Sequence, residues 1–113
     1  MQTLSVASRL FPLVVSGDKT STIRWREIEI SPGYLRYVDA GDPRNRVVVW
    51  VTRCTSMPLS EAAAFVGRQA EWPKPVMLEG MREHYPAIGW QDTVQVIEHL
   101  TPAETRKRSD FMA

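Results

Sequence analysis

The densest run of groups able to act on a ligand is Gly17-Asp18-Lys19-Thr20-Ser21-Thr22-Ile23-Arg24. Thr20, Ser21 and Thr22 stand directly after Lys19, and Arg24 and Arg26 follow at once. A hydroxyl attacks an acyl or phosphoryl centre only when a base takes its proton, and a lysine can do so once its ammonium loses a proton near neutral pH. Burial or neighbouring positive charge pushes a lysine in that direction, and Arg24 and Arg26 supply such charge. The same arginines suit a phosphate or a polar base edge. Gly-x-Lys-Thr hints at a phosphate loop, but the full G-x-x-x-x-G-K-[ST] spacing is absent. The three hydroxyl residues are also ordinary turn and strand residues.

The remaining reactive groups are scattered. His84 and His99 stand apart from each other and from Cys54, and neither has metal-ligand spacing. His84, near the end of a helical pattern, reads as a capping or surface residue. Cys54 lies in Val51-Thr52-Arg53-Cys54-Thr55 and reads as a buried structural thiol. Being single, it excludes a disulfide framework within the chain. Among the carboxylates, Glu71 differs from Glu79 and Glu83 because it sits in a proline-flanked loop, where functional groups are often placed. Its neighbour Trp72 is a stacking platform for a base or a core anchor.

The elements that must position these groups follow from periodicity. Leu4–Val6 reads as a short strand. Leu10, Phe11, Val14 and Val15 have helical spacing, with Pro12 in the first turn and Gly17 as C-cap. Thr22–Glu27 alternates, so Thr22, Arg24 and Arg26 share one face and Ile23 and Trp25 the other. The apolar parity then shifts to Ile28 and Ile30, which predicts a bulge or bend near Glu27. Ser31-Pro32-Gly33 is a turn, Tyr34–Val38 a strand, and Asp39–Asn45 a polar hairpin connection. Val47–Thr52 is the strongest strand, and Pro58 closes the strand region. Ser60 is the predicted N-cap of a helix over Glu61–Gln69. A second helix covers Val76–Tyr85, with Met77, Leu78, Met81 and Tyr85 on one face and Pro86 as its stop. Thr93–Leu100 is a closing strand with Val94, Val96, Glu98 and Leu100 on one face. The segment from Thr101 to Ala113 is polar, carries Arg106-Lys107-Arg108, and reads as a mobile tail. Strands with a few helices between them predict an α+β domain whose sheet curls into a small barrel.

Composition narrows the function classes. The chain has 113 residues, 43% hydrophobic and 24% charged, which fits one globular domain. It has neither a membrane-length apolar run nor a signal-peptide pattern, so it reads as soluble and cytoplasmic. Net charge is only +1, which excludes nucleic-acid binding by bulk charge. The distribution is uneven, however. Met1–Cys54 holds eight bases against five acids, and the remainder holds six against eight. A basic face on the first half would suit an anionic ligand such as RNA; a mixed solvated surface is the alternative.

With these residues in view, the chain resembles the ASCH family from about Leu4 to Leu100. Ser16-Gly17-Asp18-Lys19-Thr20-Ser21-Thr22-Ile23-Arg24 resembles the family's Gly-x-Lys-Thr-x-Thr-x-Arg signature. Ala70-Glu71 and the following Leu78-Glu79-Gly80-Met81-Arg82-Glu83-His84-Tyr85 are similar to its loop glutamate and next helix. The chain departs from the family at Gly33-Tyr34, where many members carry Gly-Asp. The resemblance implies a small PUA-like β-barrel with helices packed around a cleft that takes a modified nucleoside or RNA. One branch of the family deacetylates N4-acetylcytidine, and the resemblance then makes Lys19, Thr22 and Glu71 the catalytic set. It makes Arg24, Arg26, Thr20 and Trp72 the ligand-binding set. No cofactor or metal is implied. An RNA-binding module or a ribonuclease using the same basic cleft is the alternative expectation. On the domain scale, the family-like region is 1–100 and the polar tail is 101–113.

Overall fold

A computed structural model of the chain describes residues 1–111. The elements run β1 (Gln2–Val6), α1 (Phe11–Ser16), β2 (Ser21–Arg24), β3 (Gly33–Asp39), β4 (Arg46–Pro58), α2 (Leu59–Phe65), α3 (Lys74–His84), β5 (Thr93–His99) and α4 (Pro102–Arg106). The strands form one sheet in the order β1-β3-β4-β5-β2. This is the mixed α+β composition that the sequence pattern predicts. The chain divides into two compact units, and Ile23–Glu29 with Thr55–Val96 make up the second of them.

The first unit is built on β1, β3 and the first part of β4. β1 pairs parallel with β3, with Leu4 opposite Tyr37. β3 pairs antiparallel with β4, with Leu35 opposite Val49 and Tyr37 opposite Val47. The inward positions Leu35 and Tyr37 on β3 and Val49 and Val51 on β4 are fully buried, together with Val14 of α1 and Ile97 of β5. Each such side chain contributes about 1.5–3 kcal/mol when fully buried. The second unit is built on α2 and α3. Leu59, Ala62, Ala63 and Met77 cluster with Ile88, Val94 and Val96, and Ile23 and Trp25 pack against them. This is the apolar pairing of Ile23 and Trp25 that the alternation predicts.

The sequence places α1 closely. Pro12 lies in its first turn, and Gly17 caps it at φ 88°, its N–H donating to the Val14 carbonyl. A β-carbon at Gly17 would also stand 2.9 Å from Thr101 Cγ2. Gly17→Ala is therefore expected to cost at least the roughly 1–2 kcal/mol of a left-handed non-glycine residue, seen as a lower denaturation midpoint. An unchanged midpoint would contradict that reading.

Four expectations need correction. Ser60 does not cap α2. The helix starts at Leu59 with Pro58 as N-cap, because the extended backbone of Pro58 enters the helix directly, and the Ser60 hydroxyl donates to Gln91 instead. The same helix stops at Phe65 rather than Gln69, two residues before Gly67 at φ 76°. On β5, Glu98 and Leu100 do not continue the buried face of Val94 and Val96. Val96 belongs to the second unit's core and Ile97 to the first's, so the buried parity switches there and His99 is buried instead. Finally, the segment after Leu100 is not a mobile tail. Thr101 and Glu104 form a reciprocal capping box that starts α4, a device that satisfies two orphan donors at once. Pro102 and Thr105 are buried, the Trp50 N–H donates to Thr105 Oγ1 at 2.9 Å, and the Tyr34 hydroxyl donates to Asp110 at 2.6 Å. The last two residues of the expected tail lie outside the described residues.

Candidate functional site

Lys19 and Thr22 lie in the first unit, Lys19 between the capped end of α1 and β2, and Thr22 within β2. The Lys19 N–H donates to the Leu13 carbonyl, which folds the chain back over the helix end. Its ammonium donates to the Ser21 carbonyl at 2.6 Å. Thr22 is 4% exposed. The Thr20 carbonyl accepts from the His99 N–H at 3.0 Å, so the signature segment is fastened to the end of β5. The Thr20 side chain faces solvent.

His99 and Tyr37 form a polar pair inside this unit. Nδ1 of His99 lies 2.8 Å from the Leu100 carbonyl. A carbonyl only accepts, so Nδ1 carries the proton and Nε2 accepts from the Tyr37 hydroxyl at 3.0 Å. Burial pushes the His99 imidazole below its ordinary value of 6.5, against an opposing hydrogen bond to Leu100, and the Lys19 charge adds to the depression. The unfolded chain therefore binds more protons than the folded one at mildly acidic pH. The contribution from His99 is intact above about pH 6.5 and is lost as pH falls toward the depressed folded value. Denaturation midpoints measured from pH 8 to pH 5 should fall in that window, and His99→Gln should flatten the fall. The depressed carboxyl of Asp39 acts at lower pH, since its ordinary value is 3.8.

The second unit carries Arg24 and Arg26. Arg24 closes β2, with its side chain 12% exposed, and its guanidinium lies 3.4 Å from Glu27. The strand stops there rather than running on to Glu27, because Arg26 takes a positive φ of 56°. That turns the chain out of the strand alternation, and Arg26 stacks on the Trp25 ring at 4.3 Å. The bend predicted near Glu27 is this Trp25-Arg26-Glu27 segment. Arg24, Arg26 and Glu27 line an open depression of about 470 Å³, open solvent included, with Ser56, Thr93 and Gln95.

Glu71 is also in the second unit. It is exposed and pairs with Arg68 at 2.8 Å, an ion pair of the kind that contributes at most about 1 kcal/mol. Arg68 lies 5.4 Å over the Trp72 ring, and Trp72 packs against the second core, which agrees with its reading as an anchor. Among the described residues, no group of three or more His, Cys, Asp or Glu side chains is placed to hold a metal ion. No helix among them is long and apolar enough to cross a membrane.

Two groups of residues escaped the sequence reading: Tyr37 with His99, and Glu27 with Tyr85. Tyr85 was expected only on the apolar face of its helix, yet its hydroxyl donates to the Glu27 carboxylate. The shift of apolar parity at Glu27 was the signal for the second group. For the first it was the inward position of Tyr37 beside Leu35.

The five-stranded sheet with its helices makes up a mixed α+β fold like that of an ASCH-domain protein of known structure. A crystal structure of a tyrosine-to-phenylalanine variant of the ZmASCH protein from Zymomonas mobilis is similar to this chain with a TM-score of 0.66. It is 12% identical, and the match covers 88% of this chain and 68% of that one. No protein-family model matches the sequence, and no curated protein matches it.

Proposed function

We propose that this chain is a small hydrolase that removes the acetyl group of N4-acetylcytidine or a related nucleoside. The observation that carries the reading is the placement of Lys19. Its side chain is half-buried, its ammonium is held on the Ser21 carbonyl, and it precedes the buried Thr22 by three residues in a segment matching the ASCH signature. In this reading Lys19 takes the proton of Thr22, whose Oγ1 adds to the acetyl carbonyl. The tetrahedral adduct collapses with the cytosine amine leaving, protonated by Glu71 or by Lys19, and the acetyl-threonine is then hydrolysed to acetate by water that Glu71 activates. Arg24 and Arg26 orient the nucleoside, with Thr20 and Trp72 as further contacts. Glu71 enters through the family resemblance, since it lies on a loop of the second unit.

The test is incubation of the purified protein with N4-acetylcytidine and, separately, with labelled RNA, products being resolved chromatographically. Release of cytidine and acetate supports the reading, and absence of both rejects it. A second reading, an RNA-binding module or ribonuclease, is favoured by one feature of the first unit. The Arg108 guanidinium stacks 3.3 Å from the centre of the Trp50 ring, beside Tyr34, the pairing of cation and aromatic that nucleic-acid surfaces use. Cleaved RNA without deacetylation would move the assignment there.

A further inference from the structure

The second unit holds a carboxylate that the proposed chemistry does not use. Glu27 follows the left-handed Arg26 and faces the same depression as Arg24. Both of its oxygens lie 3.4 Å from Arg24 Nη1, and one accepts from the Tyr85 hydroxyl. Tyr85 in turn packs edge-on against Trp25 at 6.0 Å, so the carboxylate is fixed by a ring that is itself wedged in place. Burial and the Glu27 carboxylate push the Tyr85 phenol up to about 12, so it remains a donor at any physiological pH. A carboxylate has about four acceptor positions. Those not facing Arg24 and Tyr85 remain for a donor in the depression. Its side chain is 31% exposed.

We propose that Arg24 and Glu27, held by Tyr85, are the donor and acceptor halves of a pyrimidine site that reads a cytosine-type edge. The inference rests on the nucleoside reading above and gives it a base specificity. Cytosine presents an exocyclic N–H beside two acceptors, its N3 and O2. A carboxylate accepts from that N–H, and a guanidinium donates to the acceptors. N4-acetylation leaves one N–H on the exocyclic nitrogen, so the acetylated base keeps the pattern. Uracil places a carbonyl oxygen against the carboxylate instead, an acceptor facing an acceptor. The depression is open to solvent, and Ser56, Thr93 and Gln95 add polar groups to its lining beside Arg24 and Glu27. Glu27 and Arg24 touch the ligand in this assignment, and Tyr85 is a positioning residue that acts through Glu27.

The experiment has two arms on the full chain. In the first, titration with cytidine and with uridine, followed by tryptophan fluorescence, should show about tenfold tighter binding of cytidine. Glu27→Gln should abolish the preference and Glu27→Asp should retain part of it. In the second, with N4-acetylcytidine as substrate, Tyr85→Phe should raise KM several-fold with a smaller change in kcat. A protein that hydrolyses N4-acetylcytidine but whose Glu27→Gln variant keeps KM and the cytidine preference overturns the inference and leaves the hydrolase reading intact. A protein without hydrolysis that still prefers cytidine through Glu27 rejects the hydrolase and supports this site. Equal affinity for the two nucleosides, or binding of neither, overturns the site.

Discussion

Lys19→Arg is expected to abolish deacetylation while leaving nucleoside binding largely in place. Arginine keeps the positive charge and donors able to reach a carbonyl such as that of Ser21, but it does not release a proton near neutral pH. Loss of a general base costs about two to four orders of magnitude in rate, far outside assay error. A lysine that only attracts an anionic ligand would be replaced tolerably by arginine, so one substitution separates the two roles. Lys19→Met removes base and charge together and should fail under either role, which makes it the control. The fold supplies a second, activity-free readout. The Lys19 charge adds to the depression of the His99 imidazole, so Lys19→Met should raise the His99 titration midpoint followed by NMR, whereas Lys19→Arg should leave it nearly unchanged. Retention of most of the rate in Lys19→Arg would exclude the proton-transfer role.

Much of the scaffold around Lys19 was legible because local rules and packing agree there. Pro12 and Gly17 bracket α1 by fixed backbone preferences, and those preferences hold whatever the helix packs against. Leu35, Tyr37 and Asp39 alternate inward along β3 as period-two patterning requires. The failures share a cause as well. Alternation along β5 identifies a buried face only while one core lies against it. Val96 and Ile97 serve different cores, and neither residue type announces the switch. β4 runs from Arg46 to Pro58 although Arg53, Thr55 and Ser56 carry no apolar signal, because strand pairing rather than side-chain burial extends it. Arg26 lies beyond any pattern, since a left-handed arginine has no propensity to be read from. For the candidate site, the signature segment was visible as residue types. What surrounds it was not: the Tyr85–Glu27 contact and the His99–Tyr37 pair each join residues more than fifty positions apart.

The segment after Leu100 gives the second large effect. Its composition is polar, and polarity alone makes it read as a mobile tail. The structure reverses that expectation. Removing residues from Pro102 onward should strongly destabilise the first unit. Three losses combine. The capping box of Thr101 and Glu104 disappears with α4, and an N-cap of this kind contributes about 1 kcal/mol to what it anchors. Thr105, fully buried, takes with it the acceptor of the Trp50 N–H and its own bond to the Thr101 carbonyl. A buried donor left without a partner costs about 1–3 kcal/mol. Arg108 leaves the face of Trp50, and Asp110 leaves the Tyr34 hydroxyl, exposing two aromatic rings that now pack edge-on at 4.8 Å. Together these amount to several kcal/mol, a large share of the roughly 5–15 kcal/mol that holds a small domain folded. Thr105→Val isolates one part. It keeps the shape and burial of the side chain but removes the oxygen that Trp50 needs, so it should lower stability by about 1–3 kcal/mol with α4 still in place. Denaturant unfolding followed by tryptophan fluorescence measures both variants. A truncated protein with the midpoint of the full chain would show that α4 lies on the first unit without holding it, and an unchanged Thr105→Val would confine the effect to the aromatic face.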